Sequence, residues 1–268
     1  MKKHLLVTIT IFLSLQWSLA AQAAQAPIQK KYRRFTLWLD CKTHHGAVAF
    51  YYEVGKDKGR LDLKSRPFRF DPKVNTSCQP QTWRGYNTTT VNPAEGTWDR
   101  GQLIPSNHMD GHHTALKETY YLTNTLPMHS IFNQPGGAWH ETVRITECYR
   151  DITPLKIWGG VIWGKNAEND FFTLTHGIKT PDFFWKLIYR KDKKEYVAWL
   201  FPNHWSATAA KIDRFLVSLD KLKSAVDYFP DLSDVISESA PATPSKSSWP
   251  VEASEKELIC EGRKTSRD

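Results

Sequence analysis

The sequence is poor in sulfur: four cysteines and three methionines in 268 residues, and no C-x-x-C pair. Without close cysteine pairs, structural zinc is a weak alternative. No apolar run beyond the first two dozen residues is long enough to cross a membrane. There is no G-x-S-x-G elbow and no Cys–His signature, so nothing supports a hydrolase built on a serine or cysteine nucleophile. Internal repeats are absent as well.

What is present is enough for a globular core, with 40% hydrophobic and 13% aromatic residues. The N-terminus combines Lys2, Lys3 and His4 with the apolar run "LLVTITIFLSLQWSLA" and the small-residue flank "AQAAQA". That pattern predicts a signal peptide over residues 1–23, hence an exported protein, periplasmic or secreted; an uncleaved anchor is the competing reading. All four cysteines follow the expected cleavage region, and an even number in an exported chain points to two disulfides. Sequence separation favours Cys41–Cys78, leaving Cys148–Cys260 to tie down the tail. Lys and Arg exceed Asp and Glu, giving a formal net charge of +8. A basic exported protein is suited to polyanions such as nucleic acid, and simple solubility explains the same number equally well.

Along the chain, a polar linker is expected over 24–31, one α+β domain over 32–235, and a low-complexity tail over 236–268. Strands are expected at "FTLWLD", "GAVAFYYEV", "RGQLIP", "YLTNTLP" and "LKIWGGVIWG", and a hairpin at "FFWKLIYR"/"EYVAWLFP" across "KDKK". Helical spacing covers 138–151 after the breaker "PGG", and a further helical segment falls within 206–229. The sheet is expected to be central and mixed or antiparallel, flanked by helices. The adjacent pairs His44/His45 and His112/His113 read as surface residues.

Three pieces of sequence carry chemistry: "DRGQ" with Asp99, Arg100 and Gln102, "TNTLP" with Asn124, and "FNQPGGAWHETVR" with Asn133 and Glu141. Taken singly, each residue has an ordinary role as a cap, a turn or a solvated charge. Taken together they offer hard oxygen donors and a cation, the needs of phosphodiester hydrolysis. Asn133 and Glu141 share a face only if one helix carries both, and "PGG" places Asn133 just ahead of the helix.

The order and separation of "DRGQLIPSNHMD", "ETYYLTNTLPM" and "NQPGGAWHE" resemble the DNA/RNA non-specific endonuclease family, the ββα-metal nucleases. Weaker similarity runs over residues 35–233. The resemblance implies a ββα-metal fold with Mg²⁺ as cofactor, Mn²⁺ as a possible substitute, and DNA and RNA as substrates held through phosphate. It implies Asn133 as the metal ligand, with Glu141 and Asn124 positioning waters and the substrate phosphate. Arg100 would stabilise transition-state charge, Gly101 would permit close backbone approach, and Asp99 would orient the loop.

Gln102 departs from the pattern, because the family has a histidine there as proton acceptor. An amide can orient water but cannot take its proton. His108 lies six residues on, about 20 Å away along an extended strand, and could substitute only if Pro105 turns the chain back. A smaller departure is Met128, where glutamine is common. Two functions remain open: a nuclease with an altered water-positioning residue, and a catalytically silent nucleic-acid-binding protein on the same fold.

Overall fold

The computed structural model describes residues 26–232, apart from 44–45, 57–60, 64, 66–67, 83 and 87–96. The expected signal peptide, the tail and Cys260 lie outside the described residues. Eight strands occur among the described residues: β1 Ile28–Lys31, β2 Phe35–Asp40, β3 Gly46–Val54, β4 Trp98–Gln102, β5 Thr125–His129, β6 Leu155–Ile162, β7 Phe183–Arg190 and β8 Glu195–Pro202. Six form one sheet in the order β1-β2-β3-β6-β7-β8, and β4 with β5 forms a separate two-stranded ribbon. All pairings between these strands are antiparallel. The α-helices are α1 His113–Glu118, α2 Ser130–Asn133, α3 Ala138–Arg150, α4 Thr173–His176 and α5 Leu219–Ala225.

Alternation decides which face each strand buries. In β7, Phe184 and Ile188 enter the larger core with Trp139 and Phe132, while Trp185, Leu187 and Tyr189 enter a second core with Leu219 and Leu222 of α5. Both faces of the sheet are therefore covered, which is why "FFWKLIYR" reads as nearly continuous apolar sequence. Helix α3 buries Trp139, Thr142, Ile145, Thr146 and Tyr149, a spacing of three and four residues that forms one stripe. Gly136, at φ +92°, makes the left-handed turn that separates α2 from α3. Asn133 therefore ends its own short helix rather than opening α3.

Three sequence expectations need correction. The linker over 24–31 supplies β1, which pairs with β2 through Ile28↔Leu39 and Lys31↔Thr36. "IQKK" lacks an alternating apolar pattern, so its strand state comes from the edge it joins. "YLTNTLP" is extended only in its second half. Leu122–Asn124 is a tight 3-10 turn, and β5 runs on through Pro127 to His129. Finally, the helical segment within 206–229 is split, because Val217 N donates to Ala198 O of β8 and pulls that stretch straight. The Cys41–Cys78 disulfide is present. No helix of the described residues is long and apolar enough to cross a membrane.

Asn124 is the clearest departure from the role implied by resemblance. Its side chain is fully buried, and its amide is spent on backbone. Oδ1 accepts from Ile104 N at 3.0 Å, while Nδ2 donates to Ile104 O and to Thr119 O, both at 2.9 Å. These bonds tie the turn before β5 to the chain leaving β4. Contact with metal-bound water or substrate phosphate does not fit this geometry.

Lys186 of β7 is also fully buried, its Nζ 2.7 Å from Thr142 Oγ1 and 3.6 Å above the Trp139 ring. Burial pushes it well below the ordinary lysine value of 10.5. The unfolded chain therefore binds a proton that the native state binds less, and stability rises with pH between the lowered value and 10.5.

Two outcomes test these readings. Asn124→Ala strands the Ile104 N–H and should cost about 3 kcal/mol in urea unfolding. Lost activity at unchanged stability would return Asn124 to a substrate-contacting role. Lys186→Met should stabilise the protein at pH 7 by on the order of 1 kcal/mol or more and flatten the rise in stability from pH 7 to about 9. A destabilised variant with an unchanged slope would contradict the assignment.

Candidate active site

The ribbon places "DRGQ" on β4, with Asp99 paired to Met128, Arg100 to Pro127, Gly101 to Leu126 and Gln102 to Thr125. Proline is tolerated in β5 because a two-stranded ribbon leaves one side of each strand without ladder bonds. The small size of Gly101 is required by Met128, whose Sδ would lie 2.1 Å from an added Cβ.

Asp99 is the meeting point. Its Oδ2 accepts from Asn133 Nδ2 at 3.0 Å, and both of its oxygens lie within 3.2 Å of Gln134 Nε2. The bond fixes the Asn133 amide by its nitrogen. Its Oδ1 takes no hydrogen bond from another described residue. Asn133 is partly exposed, so this oxygen is a suitable ligand for a hard cation. Among the described residues no group of three or more His, Cys, Asp or Glu side chains could hold a metal. A zinc-type cage is therefore not formed by them, whereas Mg²⁺, which keeps most of its waters, fits a single pinned amide oxygen.

Adjacent residues of a strand point to opposite sides, so Arg100 and Gln102 project away from the Asp99 side chain. The Arg100 guanidinium lies 4.0 Å over the Phe68 ring. Burial presses its pKa downward and nearby Tyr86 opposes this, and a guanidinium stays charged throughout. Gln102 Nε2 donates to Thr119 O at 2.8 Å, the carbonyl that also receives Asn124 Nδ2. The Gln102 amide is thereby oriented, and its Oε1 takes no hydrogen bond from another described residue. Trp139 Nε1 reaches Gln102 O at 3.3 Å and fastens α3 to β4.

Glu141 lies in the first turn of α3, paired with Arg144 through Arg144 Nε to Oε2 at 2.8 Å. It makes no direct hydrogen bond with Asn133. The structure thus brings Asp99 and Asn133 into contact, sets Arg100 and Gln102 on the opposite face of the same strand, and keeps Asn124 in the interior.

His108 is not presented to the site as an alternative proton acceptor. The chain turns after Pro105, but the imidazole is buried and its Nδ1 lies 2.9 Å from Tyr52 Oη. Burial and Arg150 hold its pKa well below the ordinary range, so it remains neutral. His112 is not a free surface residue either, since its side chain caps α1 by accepting from Ala115 N.

Sequence reading missed Gln134, Phe68, Tyr86 and His176. His176 is buried, its Nδ1 2.7 Å from Thr175 Oγ1 and its Nε2 3.3 Å from Gly85 O. Its pKa is lowered, chiefly by burial and in part by the charge of Arg100. Gln134 adjoins Asn133 in the quoted motif, but the distant sequence positions of the other three gave no signal.

Comparison with known proteins bears on the fold and the family. The chain is 25% identical over 200 residues to mouse "Nuclease EXOG, mitochondrial", a match covering 67% of this chain and 51% of that protein. It is 24% identical over 176 residues to "Nuclease C1" of Cunninghamella echinulata var. echinulata, covering 62% and 66% of the two chains. The chain therefore spans about half the length of the mouse protein. Among solved structures, a chain from the EndoG/EndoGI complex superposes with a TM-score of 0.57 at 16% identity, covering 75% of this chain and 84% of that one. At that identity the likeness concerns the fold alone. The sequence profile described as DNA/RNA non-specific endonuclease matches residues 21–234, and with that span, on this fold, the chain belongs to the DNA/RNA non-specific endonuclease family.

Proposed function

We propose that the chain is an exported, Mg²⁺-dependent endonuclease that hydrolyses phosphodiester bonds of DNA and RNA without sequence preference. The observation that carries this reading is the Asp99–Asn133 hydrogen bond, which holds an amide oxygen open beside the strand bearing Arg100. Asn133 would hold the ion, and Mn²⁺ is a plausible substitute for Mg²⁺ on the same oxygen chemistry. When bound, the ion supplies Lewis-acid stabilisation of phosphate charge. The disulfide and the basic N-terminal apolar run support export.

The protein's own groups divide the remaining work. Arg100 places a permanent charge against an aromatic ring, where partial burial strengthens its effect on a developing anion. Asp99 keeps Asn133 and Gln134 in register, and Glu141, held by Arg144, lies one turn into α3 as an acceptor for waters near the phosphate. Gln102, steadied by Thr119 O, presents Oε1 as an acceptor that aligns water. It takes no proton, so the contribution of a general base, about 10²–10⁴-fold, is missing. That same substitution favours a second reading, a silent protein that binds nucleic acid with steep salt dependence and does not cut.

Purified mature protein incubated with plasmid or RNA separates the two. The expected outcome is slow cleavage with Mg²⁺ that disappears with chelator and, as completely, in Asn133→Ala. Gln102→His should raise the rate by on the order of 10²–10⁴-fold. A parent that is inert while Gln102→His cuts would establish the silent reading. If neither cuts, the assignment of the metal to Asn133 fails.

A further inference from the structure

A separate cavity of about 230 Å³ opens where the end of β3, the loop after β4 and the last turn of α3 meet. Its described lining includes Arg34, Lys56, His112 and Arg150, with Glu53 as the one carboxylate. Arg150 lies nine residues beyond Glu141 on α3, roughly 14 Å along the helix axis, so this cavity is not part of the β4 site.

The charge at its floor is unusual. Arg150 is only 6% exposed, yet its Nε donates to Gly55 O at 2.8 Å and its Nη1 to Asn107 O at 3.3 Å. Both acceptors are neutral, whereas buried cations ordinarily meet a carboxylate. Glu147, one turn earlier on α3, receives Asn107 Nδ2 at 2.6 Å instead. Glu53 is exposed and receives the Tyr51 hydroxyl. The C-terminal dipole of α3 offsets only about half a charge. Arg34 and Lys56, both exposed, add two cations at the mouth, and Arg33 Nε lies 3.3 Å from His112 Nε2 beside them.

Three lasting positive charges from three separate chain segments thus converge on one polar cavity whose described lining holds a single carboxylate. Cations arranged around a volume favour a compact, multiply charged tetrahedral anion over a monoanion, and the guanidinium fork matches its oxygens. We propose that this cavity is a second anion site, built to bind a phosphoryl oxyanion supplied either as free phosphate or by a polynucleotide backbone beyond the scissile position. This inference does not depend on catalysis at β4.

The test uses full-length mature protein in chelator, so that no cleavage occurs. Inorganic phosphate is titrated against chloride at matched ionic strength, and binding is read by thermal shift and calorimetry. The expected result is a phosphate-specific rise in Tm that Arg34→Ala/Lys56→Ala weakens at least tenfold and Asn133→Ala leaves unchanged. Arg34 and Lys56 are exposed, so the double variant keeps its fold. A short oligonucleotide then identifies the source. Binding weakened by the double variant and competed by phosphate assigns the site to the backbone, and binding unmoved by either assigns it to free phosphate. No preference for phosphate over chloride, or an equal shift in the double variant, overturns the proposal.

Discussion

The Asp99 carboxylate accepts from the amides of Asn133 and Gln134, and the arrangement of the site follows from that contact. An asparagine amide has two ends of different chemistry, and either can face outward unless something chooses. A carboxylate accepts hydrogen bonds and donates none, so it selects the nitrogen and leaves the oxygen free. The hydrogen bond also links the end of α2 to β4, which carries Arg100 and Gln102. One short contact thereby couples ligand orientation to the position of the charged strand.

A second constraint operates through Thr119 O, which receives both Gln102 Nε2 and Asn124 Nδ2. One carbonyl at the end of α1 steadies a residue of the site and a residue of the interior. A motif position thereby acts on the backbone around it. Asn124 sets the geometry of the chain on which the reactive groups stand, and the same amide in a solvent-facing position would have had a different role.

Much of this architecture was legible in the sequence, and the limits have physical causes. β2, β3, β7 and β8 were readable because each is rich in aromatic and β-branched residues between turn residues, and α3 because of its helical spacing after "PGG". The edge strand β1 was not, since "IQKK" takes its conformation from pairing rather than from pattern. At the candidate site, Asp99, Arg100, Gln102, Asn133 and Glu141 were singled out through motif order, and the structure joins Asp99 to Asn133. Burial of Asn124 and the approach of Phe68, Tyr86 and His176 to Arg100 arise from long-range packing, which no local window contains. The buried Lys186 was hidden for the same reason, a lysine inside the largely apolar run "FFWKLIYR" whose surroundings no local window shows.

The hydrogen bond from Gln102 to the Thr119 carbonyl asks its donor only for an N–H. An imidazole N–H could donate to the same carbonyl. Glutamine and histidine codons differ only at their third base. A single nucleotide change therefore separates a side chain that can only orient water from one that can also take its proton.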